Sequence, residues 1–397
     1  MRFFKRIVRD ESGVTAVVVA LSLVMIFAFA VLTIDLGFVQ LARTQLQNAA
    51  DAAALAGASA LAASNGDQSV AIAEAKNFAA FNVAVQDKDR SVVITDSCVT
   101  FPEPTKVRVL THRTHDTGDP VGLHFLKVIN PLKDNEANIT ATATAAVLSI
   151  CGPKCLRPFC PPDRWDDADS NGIWTPDDEY NDLNTNGLWD PGEPLIEDYN
   201  GNGVWDPEEF YDPYLTGYRA PDDIGVQVTL HLLNSNNDFK AEWYYSVRFP
   251  PINSGESWDP GADIYRELIE GDRCEPFSIG IVDQLALEPG GMVGPTNQGL
   301  DALIAKDPTA EWDPVTKTII NSAYPVSPRI VLCAAFNPTY GVDSGPPKYV
   351  TVAKVMALFV EGHVGADIVG RFMRAVAEGD PDPDCPGGFL YNVCLVE

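Results

Sequence analysis

From Val14 to Ile34 the chain runs 21 residues without a charged side chain. As a helix rising 1.5 Å per residue, that run is about 31 Å long, the thickness of a bilayer's hydrocarbon core. Arg2, Lys5, Arg6 and Arg9 precede it and no basic residue lies just after it. That asymmetry predicts a cytoplasmic N-terminus, with everything past Asp35 outside the cytoplasm. A cleaved secretory signal has a shorter apolar centre, about 7–15 residues. Here helix-forming sequence also continues without a break to about Ala63, so an uncleaved anchor is expected. Ala42, Leu46, Ala49, Ala53, Ala56, Ala60 and Ala63 trace a seam of small residues in steps of four and three. Such a seam admits a close partner, either another helix or the chain's own body.

Beyond the helix the periodicity changes to that of strands. Ser91–Asp96 and Lys106–Arg113 alternate, with Phe101-Pro-Glu-Pro between them, and Asn138–Ile150 reads as a Thr-, Val- and Ala-rich strand. Val121–Ile129 reads as a short helix. Gly225–Leu233 and Ala241–Phe249 read as paired strands around Asn234-Ser-Asn-Asn. A helix is expected from about Thr296 through Leu303, and an apolar strand over Tyr349–Val360. The fold class is α+β: a transmembrane helix continuing into an Ala-rich helix, then a β-rich exported body with an insert. The segments are 1–35 (basic tip and anchor), 36–86 (Ala-rich helical region), 87–162 (small α+β unit), 163–213 (insert) and 214–397 (β-rich domain).

Charge singles out the insert. The protein has 28 basic and 55 acidic residues, a formal net charge of −27. Such a chain repels nucleic acid, so no nucleic-acid partner is expected. Between Asp163 and Pro213 there are 16 Asp and Glu against one basic residue, Arg164, together with four of the seven tryptophans.

Within that stretch a pattern recurs three times. Copy one places oxygen ligands at Asp167, Asp169 and Asn171, a backbone carbonyl at Ile173 and an acid at Asp178. Copy two has Asp182, Asn184, Asn186, Leu188, Asp190 and Glu193. Copy three has Asp198, Asn200, Asn202, Val204, Asp206 and Glu209. Copies two and three fill every slot of an EF-hand-type loop: oxygens at positions 1, 3 and 5, Gly at 6, a carbonyl at 7 and Glu at 12. Ca2+ requires six to eight hard oxygens at about 2.3–2.6 Å, so alternate side chains must converge on one point, and the glycine takes the tight turn. Copy one ends in Asp178 and its shell is one oxygen poorer. Trp174, Trp189 and Trp205, at position 8, are expected to turn away from the ion into a small shared core. Only three or four residues separate the loops, too few for flanking helices, so a linear ladder of ions is expected, as in dockerin-like or thrombospondin type 3 repeats.

Gly13-Val-Thr-Ala-Val-Val-Val-Ala-Leu, Thr33-Ile-Asp-Leu-Gly and Leu46-Gln-Asn-Ala-Ala-Asp-Ala-Ala-Ala-Leu-Ala-Gly-Ala together resemble the N-terminal module of TadG-like proteins of the Tad (Flp) pilus-assembly family. Val121-Gly-Leu-His-Phe-Leu and Val364-Gly-Ala-Asp-Ile-Val-Gly-Arg-Phe are weaker echoes of it. The resemblance implies a single-pass inner-membrane protein with a large exported part, tied to building or anchoring pili. Its partners would be the lipid bilayer, through Val14–Ile34, and other pilus-assembly membrane proteins, through the 38–63 helix. Two departures limit it. Pseudopilins of this system have Glu at the fifth position after the cleavage Gly, and Val18 stands there after Gly13; no Asp-x-Ser-x-Ser string of an adhesive metal domain is present.

All eight cysteines (Cys98, Cys151, Cys155, Cys160, Cys274, Cys333, Cys385, Cys394) follow the membrane segment, which on the oxidising side reads as disulfides. Cys385–Cys394 is the simplest local pair. A zinc site at Cys151, Cys155 and Cys160 is the sharper alternative and lacks a nearby fourth ligand. There is no zinc-protease string, nucleophile elbow or phosphate loop, and the five histidines are scattered. The sequence therefore reads as a non-catalytic, calcium-stabilised cell-envelope protein. An exported adhesin or binding module on the same anchor is the alternative, followed by a secreted hydrolase.

Overall fold

The computed structural model describes residues 12–64, 66–84, 91–117, 119–123, 135–167, 170, 172–175, 179–185, 188–198, 203, 205, 209–220, 222–256, 261–343, 345–382 and 384–396. The chain divides into two units: residues 1–147 with 393–397, and residues 148–392. The architecture is α+β, a long N-terminal helix followed by a β-rich body.

In the first unit one unbroken helix, Ser12–Ala63, contains both the apolar run and the Ala-rich stretch. Every residue from Val14 to Ala30 is exposed, and the helix is long and apolar enough to cross a membrane. Burial begins at Asp35. Ala42, Leu46, Ala49 and Ala53 are buried as the seam requires, but Ala56, Ala60 and Ala63 are not. Ala54, Ala58, Leu61 and Ala62 are buried in their place. The face turns with the 3.6-residue period of a straight helix instead of holding a heptad. It packs on the chain's own helix Gln68–Ala80 and strand Lys106–Arg113, so this face of the 38–63 segment is already occupied. Gly57 marks the closest approach: a Cβ there would sit 3.1 Å from Val107 Cγ1 and 3.2 Å from Ala75 Cβ. Thr111 Oγ1 donates to Leu46 O at 2.9 Å across the same contact.

Lys106–Arg113 pairs antiparallel with residues 139–146 of the strand Ile139–Pro153. Val107, Val109, Ala143 and Ala145 are fully buried, the alternation of a sheet covered on one face. Two local expectations are corrected here. Residues 91–96 form no strand; after a single bridge at Ser91 the chain enters a 3-10 turn, Asp96–Cys98. Val121–Gly122 is a strand paired with Glu136–Ala137, not the start of a helix, and residues 124–129 of that expected helix lie outside the described residues.

The second unit is built on a circuit of strands. Gln284–Leu287 pairs with Trp243–Arg248, which pairs with Gln227–Leu233, then Asp367–Phe372, then Tyr349–Val364, and this last strand pairs back to Gln284–Leu287. A closed circuit leaves few unpaired edges to template aggregation. Ile330–Phe336 adds to the long strand, and Phe159–Cys160 pairs with Trp243–Arg248 while its neighbours bridge to Cys333 and Phe336. Gln227–Leu233 and Trp243–Arg248 pair as expected from their alternation, but in parallel, because the connecting segment carries the chain back before the second strand begins. The helices Ala262–Glu270 and Val293–Lys306 pack together, and Ile269 and Leu300 join the core formed by Tyr244, Tyr265, Phe159 and Phe372.

Two disulfides close this unit, Cys151–Cys385 and Cys155–Cys274, with Cα separations of 5.3 and 4.4 Å. Cys385 therefore bonds Cys151, not Cys394, because the strand Gly379–Pro381 lies in register against residues 150–153. With Cys151 and Cys155 oxidised, the zinc alternative is excluded. Cys98, Cys160, Cys333 and Cys394 are free thiols.

Candidate metal-binding insert

The insert begins and ends at one place. Asp166 pairs with Phe210 in an antiparallel bridge, Asp166 N donating to Phe210 O at 2.9 Å. Residues 167–209 thus leave the body and return to the same point. Inside, the short strands Glu179–Tyr180 and Leu195–Glu197 pair with each other. The base of the insert is therefore closed.

The loop backbones repeat. In copy one the carboxylate of Asp167 accepts the N–H of Gly172 at 2.8 Å, and in copy three Asp198 accepts that of Gly203 at 2.8 Å. Each joins position 1 to position 6. Gly172 and Gly203 have φ of 73° and 77°, a left-handed turn that a Cβ would strain. Position 4 is also left-handed in copies one and two, at Ser170 and Thr185, with φ of 60° and 57°. Local Asp-to-backbone bonds of this kind fold the chain inward around the carboxylate without helix or sheet.

Copy two shows the closing residue. Glu193 is buried and accepts two backbone N–H groups of its own loop, Leu183 at position 2 and Asp190 at position 9, both at 2.9 Å. Asp190 O in turn accepts Glu193 N at 2.9 Å, so Asp190-Pro-Gly-Glu193 forms a reciprocal contact like a capping box. Asn184 Nδ2 donates to Asp190 Oδ2 at 2.5 Å, bringing positions 3 and 9 together. Asp182 and Leu188 are described at positions 1 and 7. In copy three Glu209 is buried, and its Oε2 accepts the N–H of Thr175, position 9 of copy one, at 3.0 Å. The closing acid of one loop therefore grips the wall of another, which spacing along the chain does not reveal.

Asp169, Asn171, Asp178, Asn186, Asn200, Asn202, Val204 and Asp206 lie outside the described residues. Among the described residues no three His, Cys, Asp or Glu side chains are grouped closely enough to hold a metal ion. The oxygen donors that are described, Asp167, Asp182, Asn184, Asp190, Glu193, Asp198 and Glu209, suit a hard cation by type and by loop backbone. Trp174 packs edge-on against Trp165 at 6.0 Å, Trp205 against Tyr180 at 5.8 Å, and Trp189 Nε1 donates to Glu193 O at 3.2 Å.

At the foot of the insert lies a group the sequence reading passed over. Asp163 Oδ2 is 2.8 Å from Lys354 Nζ and accepts Tyr211 O–H at 2.9 Å, while Oδ1 accepts the N–H of Arg164 at 3.0 Å and of Tyr218 at 2.9 Å. Lys354 Nζ also donates to Pro213 O and Tyr218 O at 2.7 and 2.8 Å. Burial raises the Asp163 carboxyl above its ordinary value and lowers the Lys354 ammonium below its own, each opposed by the charge of the other. A lysine amid the apolar Tyr349–Val360 run was the available signal.

Residues 13–60 match the model of the Tad family, described as Flp pilus-assembly TadE/G-like. Neither a curated protein nor a solved structure matches the chain. The N-terminal segment is a TadE/G-like module, carried on a helix of membrane-spanning length and composition, and this fits a membrane-anchored, pilus-associated protein.

Proposed function

We propose that the protein is a non-catalytic cell-envelope component of Tad/Flp-type pilus assembly or anchoring, held in the inner membrane by Val14–Ile34 with its body exported. The observation that carries this reading is the coincidence of the TadE/G-like match over residues 13–60 with the exposed apolar surface of the same helix. An apolar cylinder of that length is soluble only in lipid. The disulfides of the second unit support an oxidising address.

In the same reading the insert binds Ca2+ as a structural ion. Asp182, Asn184, the Leu188 carbonyl and Glu193 would hold one ion in copy two, and the corresponding positions would serve copies one and three. What supports this is the Asp-to-Gly contact repeated in two copies and the left-handed residues at positions 4 and 6. Bound cations neutralise the carboxylates crowded between residues 163 and 213. Extracellular sites of this kind commonly have Kd of about 10⁻⁴–10⁻³ M, a range suited to permanent stiffening. Deleting the gene and scoring surface pili and attachment tests the assembly role. Wild-type piliation in the deletion strain would refute it.

A further inference from the structure

Within the second unit, an open cleft of about 400 Å³ lies between copy one of the insert and the segment that links strands Gln227–Leu233 and Trp243–Arg248. That volume falls in the range of small-molecule sites. Trp174 and Phe239 line it, and their positions are fixed by a chain of edge-on contacts: Trp174 to Trp165 at 6.0 Å, Trp165 to Phe239 at 6.1 Å, Phe239 to Phe336 at 5.2 Å. The polar wall is equally fixed at its backbone. Tyr245 O–H donates to Asn237 O at 2.7 Å, and Lys348 Nζ donates to Ser235 O at 2.9 Å. With the backbone so tied, Asn236, Asn237 and Asp238 stand exposed at the cleft, which Asp343 also lines.

We infer that this cleft binds a neutral carbohydrate. Aromatic side chains supply apolar faces for the C–H side of a sugar ring, while carboxamides and carboxylates offer both donors and acceptors to its hydroxyls. An anionic ligand is disfavoured, because Asp238 and Asp343 line the cleft and the ammonium of its lining Lys348 is engaged by a carbonyl. A cationic amine is the competing ligand class, since the Asp238 and Asp343 carboxylates would attract it, and the quaternary-amine probe decides between the two.

The cleft stands on its own geometry, and its coupling to the insert rests on the calcium reading. Ala241 N donates to Gly172 O at 2.8 Å, and Thr175 is held by Glu209. Both contacts tie the Trp174 wall to metal-loop positions, so a cation ordering copies one and three would order the cleft.

The test uses the full chain in detergent on a panel of immobilised neutral oligosaccharides, with sialylated or sulfated and quaternary-amine probes alongside, in Ca2+ and in excess chelator. Trp174→Ala and Asn237→Ala are compared with wild type, and Val315→Ala, at an exposed site outside the cleft, is the control. Capture of a neutral glycan, weakened roughly tenfold or more by each cleft variant and unchanged by the control, supports the inference. It is overturned by no neutral capture, by equal capture on Trp174→Ala, or by preference for either charged panel. Calorimetric titration with Ca2+ alone separates the two readings. Calcium binding without glycan capture removes the cleft proposal and leaves the calcium reading intact, and glycan capture without calcium binding does the reverse.

Discussion

Lys354 Nζ lies 2.8 Å from Asp163 Oδ2, and neither side chain has exposed surface. The carboxylate accepts four donors and the ammonium reaches three oxygens, so each charge is fully compensated inside the core. Removing one partner leaves the other buried and unpaired. Lys354→Met should cost about 3–5 kcal/mol in urea unfolding of the full chain in detergent. Combining it with Asp163→Asn should recover a large part of that loss, because the stranded charge goes with it. A loss for Lys354→Met below about 1 kcal/mol would mean the pair is solvated and not part of the core.

A second buried acid gives a pH dependence of definite sign. Burial raises the Glu288 carboxyl from 4.5 to about 7, against the opposing charge of Arg248. The unfolded chain releases this proton near 4.5 and the folded chain holds it to about 7. Between those values the folded state binds more protons, so stability contributed here is greatest at low pH and declines as pH rises toward 7. Glu288→Gln, a mimic of the protonated form, should flatten that part of the profile and gain about 1–3 kcal/mol above pH 7. A parallel profile for the variant would place the titration elsewhere.

Calcium should act on one segment. Chelation is expected to raise protease cleavage between residues 163 and 213 and to lower Tm, by roughly 1–3 kcal/mol of stability for each site that was filled at 10 to 100 times its Kd. Gly203→Ala sets a Cβ on a backbone at φ 77° and should weaken copy three without changing any ligand. An identical digest with and without chelator would remove the metal from the proposal.

The N-terminal helix, the strand Lys106–Arg113 and the strand at Tyr349 were legible because local periodicity writes them directly: an apolar run, an alternation, a β-branched stretch. What was not legible depends on pairings distant in sequence. The Ala42–Ala63 seam admitted two registers because alanine fits any face, and only Gly57 against Val107 and Ala75 selects one. The parallel pairing of Gln227–Leu233 with Trp243–Arg248 cannot be told from a hairpin by alternation alone. The insert's candidate ligand positions were proposed from spacing, but its closed base requires Asp166 to meet Phe210, and no local rule joins residues so far apart. Cys385 has a near neighbour in sequence and a different one in space, for the same reason.

The anchor is tested by placing a charge in it. Ile26 is exposed within the run from Val14 to Ala30. Ile26→Arg puts a cation near the bilayer centre at about 2.5–3.5 kcal/mol on the insertion scale. Reduced membrane recovery after an alkaline wash is expected, with the folded body unaffected. Equal recovery of wild type and variant in the soluble fraction would show that the helix is covered by protein instead of lipid.

The disulfides test the address independently of the helix. Cys151–Cys385 spans 234 positions and Cys155–Cys274 spans 119. Closing loops of this size restricts the unfolded chain, so replacing either pair with serines should cost about 2–5 kcal/mol. Non-reducing peptide mapping of protein taken from its own cells should recover both linked pairs, with Cys98 and Cys394 alkylated as free thiols after denaturation. Thiols form such bonds stably only on the oxidising side of the membrane. If Cys151, Cys155, Cys274 and Cys385 are all recovered reduced, the body has not been exported, and the cytoplasmic orientation assigned to Arg2, Lys5, Arg6 and Arg9 is reversed.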